Sequence, residues 1–382
     1  MPRTTYMSTR GGEKGLTFEE VVLGGLAKDT GLYVPEEIPT ITLDEIEDMR
    51  SMSFTDLAYT VISKFVSEED ISAASLKDIV TRSFSKFRTP EVVPCVKKKY
   101  FWVMELFHGP TFAFKDVALQ FLGNLFEFFL ERGYRQREIT ILGATSGDTG
   151  SAAIHGLRGK SNVNCFILYP KGKVTEIQER QMTSILDENV QCIQLDTDFD
   201  GCQATVKAAF ADAEFRESVK LGTINSINWA RVLAQITYYF YCWLRVTDDY
   251  KDAYLPYINF AVPTGNFGDI MAGFYAKRMG LPVGKLVVAT NQNDAVHRFF
   301  RTGIYLKVPC VETIAPSMDI SVSSNFERYL FYLGEAKASV CRSWMTAFER
   351  FGQFTLGSNY LARARQDFES STSNEAQIMD TM

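Results

Sequence analysis

Lys115 lies in His108-Gly109-Pro110-Thr111-Phe112-Ala113-Phe114-Lys115-Asp116, where Phe112 and Phe114 stand at spacings that bring aromatic surface close to its ammonium. Desolvating an ammonium disfavours its charge and favours the neutral amine. A neutral amine is a nucleophile and forms a Schiff base with an aldehyde such as pyridoxal phosphate. The plainer reading is a surface lysine whose stem lies along the rings while its head stays in water. Two other segments favour the chemical reading.

Gly265-Asn266-Phe267-Gly268-Asp269 follows an apolar run ending Ala261-Val262-Pro263 and precedes a helical pattern. Glycines let backbone N–H groups turn inward, and a helix N-terminus adds positive potential, which together suit a phosphate. The alternative is a βα turn in which Asn266 and Asp269 serve as turn or capping residues. Thr145-Ser146-Gly147-Asp148-Thr149-Gly150 follows Ile139-Thr140-Ile141-Leu142 and offers hydroxyls and free N–H groups at a strand-to-helix junction. That chemistry suits a carboxylate or a ring hydroxyl, and Ser, Asp and Thr are equally good helix caps. Gly156-Leu157-Arg158-Gly159-Lys160-Ser161 resembles the end of a nucleotide-binding P-loop, but Ile154 stands where its first glycine belongs.

Repeated strand and helix patterns surround these loops. Strands are expected at Phe101 to Leu106, Glu138 to Gly143, Asn164 to Pro170, Val190 to Leu195, Tyr257 to Val262 and Lys285 to Thr290. Helices are expected at Asp116 to Glu131, ending near Gly133, and at Ala152 to Leu157, Glu176 to Leu186 and Ile270 to Met279. Alternating βα units predict an α/β fold with mostly parallel sheets covered by helices. The division expected is a largely helical part over residues 1–95, a catalytic α/β region over 96–368, and a polar tail over 369–382.

The 382 residues carry a net charge of −6 and are 46% hydrophobic, which argues against a nucleic-acid-binding role and against disorder. Seven scattered cysteines and three dispersed histidines offer no metal-ligand spacing. No apolar leader or membrane-length run is evident, so a cytoplasmic protein with no membrane partner is expected. Oligomeric state is left open.

The motifs, in this order, resemble the threonine synthase family of pyridoxal-phosphate enzymes, in its fungal type. The likeness runs from Tyr6-Met7-Ser8-Thr9-Arg10-Gly11 through Gly31-Leu32-Tyr33-Val34-Pro35 to the region of Asp367. Its most specific parts are the Lys115 segment, the Thr145 loop, Asn225-Ser226-Ile227-Asn228-Trp229-Ala230-Arg231 and Pro263-Thr264-Gly265-Asn266-Phe267-Gly268-Asp269.

The resemblance implies fold type II, similar to the tryptophan synthase β chain, and conversion of O-phospho-L-homoserine and water to L-threonine and phosphate. It implies that Lys115 carries the Schiff base and that Gly265, Asn266, Phe267 and Asp269 bind the cofactor. Ser146, Asp148, Thr149, Asn225, Asn228 and Arg231 become substrate-side candidates, Arg231 because a guanidinium matches phosphate oxygens. Two departures stand out. Thr30 occupies a place where the family usually has a second glycine, and a positive φ there would strain it by about 1–2 kcal/mol. The family's chain also continues past the point matching Met382, with a strand–helix segment and a hydroxyl that bonds the pyridine nitrogen. The competing readings are a γ-phospholyase or dehydratase using the same cofactor, and a truncated, catalytically silent chain.

Overall fold

The computed structural model describes residues 4–132, 138–248 and 256–381, so Gly133 lies outside the described residues. Contacts divide the chain into two compact units. One comprises Met1–Thr17, Leu26–Ser51 and Gln235–Met382, and the other Phe18–Gly25 and Met52–Ala234. The division falls within one helix, Trp229–Val246.

The second of these units holds a four-stranded parallel sheet. Its order is Val190–Leu195, Val163–Pro170, Ile139–Ala144, Leu221–Gly222. Ile139 pairs with Val163 and Ala144 with Leu168, so the Thr145 loop starts at the carboxyl end of a central strand. That is where ligands gather in open α/β sheets. The helix Lys115–Glu131 is buried nearly all round, as its Val, Ala, Leu and Phe, broken only by Gln120, Gly123, Asn124 and Glu127, dictate. It packs on the helix Asp148–Leu157.

Two glycines let these helices meet. A Cβ on Gly123 would stand 2.0 Å from the Gly156 carbonyl oxygen, and one on Gly156 would stand 2.5 Å from that of Leu119. This close crossing fixes the two helix N-termini, which carry Lys115 and Asp148. Gly123→Ala is therefore expected to lower stability by about 1–3 kcal/mol through overpacking. A urea unfolding midpoint equal to the parent's would contradict this account of the crossing.

The other unit contains a parallel sheet of Ile258–Pro263, Val283–Thr290 and Phe368–Thr372. The last strand lies in the segment expected to be a polar tail. Leu286 pairs with Phe368 and Thr290 with Thr372, and a helix, Glu375–Thr381, follows. Only Phe368 of that strand is buried, which is why its composition reads as a tail. The N-terminal residues add a sheet to the expected helices. Lys14–Leu16, Tyr6–Ser8 and Tyr33–Pro35 pair antiparallel, each too short to show alternation. Thr42 caps the helix Leu43–Asp48 with a capping box, as its threonine and acidic first turn predict.

Thr30 adopts φ +62°, the strained conformation anticipated from the missing glycine. Its hydroxyl accepts a hydrogen bond from Arg10 Nη1 at 2.8 Å.

Candidate active site

Lys115 is the first residue of its helix and is 7% exposed. Its Nζ lies 2.6 Å from Asp148 Oδ2 and 4.6 Å from the centre of the Phe114 ring. The expected aromatic bracket is thus half realised. Phe112 is 58% exposed, and its ring is covered instead by the Arg88 guanidinium at 3.7 Å. The structure also gives the ammonium a carboxylate, where the sequence pointed to aromatic desolvation alone.

The loop before Lys115 is held at several points. Asp116 is fully buried and accepts from the Thr111 backbone N–H at 2.7 Å and the Thr111 hydroxyl at 2.8 Å. Burial raises its pKa, and those two donors oppose the rise. Gln181 Nε2 donates to the Thr111 carbonyl at 3.1 Å. Arg88 donates to the carbonyls of Gly109 and Pro110 while stacking on Phe112, which adopts φ +60°. Sequence reasoning missed Arg88. Its partners lie 21 and 22 residues away, and nothing near it in the chain marks it.

The Thr145 loop is closed by a residue quoted in its motif but not singled out. Thr145 Oγ1 accepts from the N–H groups of Gly147 at 3.0 Å and Gly150 at 2.8 Å. Gly147 adopts φ +144°, which a side chain would strain, and a Cβ there would meet Gln178 at 2.3 Å. Asp148 then opens the helix Asp148–Leu157, where the helix dipole favours a negative charge. Its neighbours Ser146 and Thr149 occupy the same strand-to-helix junction.

Arg231 stands in the first turn of the helix Trp229–Val246. It is 4% exposed, and its Nη1 has no hydrogen-bond partner. Burial lowers its pKa to about 10, and the charge of Asp148 works against that fall. Asn228 is committed elsewhere. Its Nδ2 donates to the Val22 carbonyl at 2.9 Å, and its Oδ1 accepts from the Ala230 N–H at 3.0 Å, capping the helix start. Asn225 Oδ1 accepts from the Ile227 N–H at 3.1 Å in the same turn. Lys115 and Asp148 are therefore brought together, while Asn225 and Asn228 order the turn before the helix that carries Arg231.

In the other unit, the 264–269 loop joins the strand Ile258–Pro263 to the helix Gly268–Arg278. Its carbonyls are tied down on one side. The Gly265 carbonyl accepts from Ser323 Oγ at 2.5 Å, and the Asn266 carbonyl accepts from the Asn325 N–H at 3.0 Å and Nδ2 at 3.1 Å. Across a trans peptide, the next N–H points the opposite way. The N–H groups of Asn266 and Phe267 therefore face away from Ser323 and Asn325, as an anion cradle requires.

Phe267 adopts φ +62°, at a cost of about 1–2 kcal/mol. Its buried ring packs against Phe326 at 5.0 Å and Phe368 at 5.3 Å and anchors that conformation. Asp269 points into the core, accepting from the Tyr238 hydroxyl at 2.7 Å and the Tyr239 hydroxyl at 2.8 Å. It braces the cradle from behind.

Burial raises the Asp269 pKa, and the two tyrosines oppose the rise. The folded state thus holds this proton more tightly than the unfolded chain. Its contribution is complete below the ordinary aspartate range and is lost as pH rises through the raised value. Asp269→Asn keeps an acceptor for both hydroxyls and removes the titration. It is expected to flatten the fall in stability with rising pH over that window, read from urea midpoints against pH. An unchanged slope would contradict this.

Among the described residues, no cluster of His, Cys, Asp and Glu could hold a metal ion. No helix among them is long and apolar enough to cross a membrane. Each unit offers donors that suit pyridoxal phosphate: in one a buried lysine amine for the aldehyde, in the other backbone N–H groups for the phosphate.

Two family models match the chain. One described as the threonine synthase N terminus covers residues 5–84, and one described as pyridoxal-phosphate dependent enzyme covers residues 87–347. A threonine synthase of Schizosaccharomyces pombe is 50% identical over all of this chain and 79% of its own length. One from Pseudomonas aeruginosa is 45% identical over 99% of this chain and 79% of its own length.

The chain belongs to the threonine synthase family.

The solved structures agree. The crystal structure of a PLP-bound threonine synthase from Brucella melitensis matches with a TM-score of 0.93 and 42% identity, over 98% of this chain and 79% of that one. The yeast threonine synthase structure matches with a TM-score of 0.93 and 44% identity, over 99% and 78%. Membership in the threonine synthase family makes the fold type II and the cofactor pyridoxal phosphate. The chain is a pyridoxal-phosphate-dependent lyase.

Proposed function

We propose that this chain converts O-phospho-L-homoserine and water into L-threonine and phosphate, with pyridoxal phosphate carried on Lys115. The observation that carries the site assignment is a buried lysine at a helix N-terminus, its Nζ held 2.6 Å from the loop that opens a neighbouring helix. The pyridoxal-phosphate dependent enzyme model spans residues 87–347, which include that lysine and the 264–269 loop.

Bound pyridoxal phosphate supplies the aldehyde and a ring that takes up the electron pair left when a substrate C–H bond breaks. The protein's own residues do the rest. The N–H groups of Gly265, Asn266 and Phe267 bind the cofactor phosphate, and Asp269 holds their loop through Tyr238 and Tyr239. Ser146 and Thr149 receive the substrate carboxylate with hydroxyls and helix N-terminal N–H groups. Lys115 Nζ, once displaced by the substrate amine, takes the proton from the substrate α-carbon. A proton then leaves the β-carbon, phosphate departs from the γ-carbon with the C–O electron pair, the γ-carbon takes up a proton, and water adds at the β-carbon. Asn225 and Asn228 keep Arg231 in place from the turn before its helix. No disulfide joins any of the seven cysteines, all of them among the described residues, which supports a reducing, cytoplasmic setting.

Product analysis with O-phospho-L-homoserine tests the reading. Threonine and phosphate in equal amounts are expected. Phosphate with 2-oxobutanoate would instead assign a γ-phospholyase. Pyridoxal phosphate bound without turnover would assign the silent chain.

A further inference from the structure

Gly265 is where the 264–269 loop is freest to turn over. A Cβ there would stand 3.1 Å from Ile320 Cγ1, tighter than ordinary contact, so the segment packed on it favours glycine. Glycine lifts the steric bar to rotation about its own bonds. The rigid peptide plane joining Gly265 to Asn266 can then turn over as a unit, exchanging its N–H for its carbonyl. A carbonyl oxygen facing a phosphate repels it, whereas an N–H binds it. The loop therefore needs a group that holds this peptide one way round.

Ser323 is placed to do so. Its hydroxyl donates to the Gly265 carbonyl at 2.5 Å. The next residue, Ser324, donates from Oγ to Asn266 Oδ1 at 3.1 Å. Ser323 is itself firmly held. It is 6% exposed, and its backbone N–H donates to the Tyr305 hydroxyl at 3.0 Å. Tyr305 is buried in the strand Ile304–Leu306, opposite Phe354 of the strand Gln353–Thr355. The Ser323 carbonyl accepts from the Phe326 N–H at 3.1 Å, at the start of the helix Phe326–Leu333. The stretch leading to Ser323 is anchored as well. Asp319 accepts from the Thr313 N–H at 2.8 Å, the Thr313 hydroxyl at 2.7 Å, Asn291 Nδ2 at 2.8 Å and Asn293 Nδ2 at 3.0 Å. All of these residues lie in one unit of the fold.

We propose that Ser323 and Tyr305 are positioning residues for the cofactor phosphate, with Tyr305 fixing the Ser323 backbone and the Ser323 hydroxyl holding the Gly265–Asn266 peptide so that its N–H faces the phosphate. The inference rests on the 264–269 loop being the phosphate site. It assigns these two side chains a part in cofactor selection. Pyridoxal carries the same ring and aldehyde but no phosphate, so its binding does not depend on which way this peptide faces.

The test is equilibrium titration of the intact chain, freed of cofactor, with pyridoxal phosphate and with pyridoxal, each followed by its own absorption band. Ser323→Ala is expected to weaken pyridoxal phosphate by about threefold to tenfold, the net effect of one hydrogen bond. The same substitution should leave pyridoxal binding unchanged. Tyr305→Phe, which keeps the ring and removes the hydroxyl, should act in the same direction and less strongly. The two combined should weaken pyridoxal phosphate no more than Ser323→Ala alone, because Tyr305 acts only through Ser323. Circular dichroism identifies any variant that fails to fold. Should Ser323→Ala fail, Ser323→Cys, whose thiol is a weak donor, takes its place.

Equal weakening of both ligands would mean that Ser323 supports the fold alone, and would overturn the proposal. So would unchanged binding of pyridoxal phosphate, or fully additive effects of the two substitutions. A parent chain that binds pyridoxal as tightly as pyridoxal phosphate would instead overturn the phosphate-site reading on which the proposal rests.

Discussion

Lys115→Ala is expected to lower turnover of O-phospho-L-homoserine by at least about 10³-fold, the loss typical when a group that transfers protons at the reacting centre is removed. The same substitution should abolish the absorption band that develops when pyridoxal phosphate is added. Lys115→Arg should fail equally, although it keeps the positive charge beside Asp148. A guanidinium stays protonated and cannot condense with an aldehyde. The pair therefore separates chemistry from packing, because Lys115→Arg preserves the ion pair while removing the nucleophile. Both variants should fold, since Asp148 keeps its favourable place at a helix N-terminus. Turnover by Lys115→Arg within tenfold of the parent would mean that another amine does the work.

The second large effect concerns stability. Arg10→Ala is expected to destabilise the fold by about 3–5 kcal/mol, because it leaves a buried carboxylate without its cation. Arg10 donates from Nε and Nη2 to the two oxygens of Glu327, both at 2.9 Å, and from Nη1 to Glu349 at 2.7 Å. Glu327 is 5% exposed and also accepts from the Thr9 hydroxyl at 2.6 Å. Burial works to lower the Arg10 pKa, but the two glutamates outweigh it and raise it above the ordinary arginine value.

This network ties the turn after the strand Tyr6–Ser8 to the helices Phe326–Leu333 and Ala338–Phe351. It also supplies the hydrogen bond that steadies Thr30 at its positive φ. Replacing both partners should be far milder than replacing one. Arg10→Met with Glu327→Leu removes the unpaired charge that makes the single substitution costly. Urea unfolding of the three chains decides the point. A loss below about 1 kcal/mol for Arg10→Ala would place the pair among weak surface bridges.

Lys115 was legible because its segment carries a nucleophile, aromatic neighbours and a helix start within nine residues. The two loops were legible because glycines follow strands in both. Their internal wiring was not. Asp148 reads as a helix cap or substrate ligand in sequence, and only the crossing at Gly123 and Gly156 brings it to a lysine 33 residues away.

Asp269 misled in the other direction. It lies in the cofactor motif, yet it accepts from Tyr238 and Tyr239 of the helix Trp229–Val246, some 30 residues away, and nothing in its own motif points to them. Phe267 carries its positive φ between two glycines that a sequence reader would have chosen first. The strand Phe368–Thr372 was hidden because four of its five residues are polar or charged, and its pairing with Val283–Thr290 supplies the order its composition does not.

The central claim is that Lys115 holds the cofactor. Its most direct test is borohydride reduction of the chain loaded with pyridoxal phosphate, followed by peptide mass mapping. The expected result is one reduced adduct, on the peptide containing Lys115 and absent from Lys115→Ala. An adduct on a different lysine, or the same adduct yield in Lys115→Ala, would contradict it.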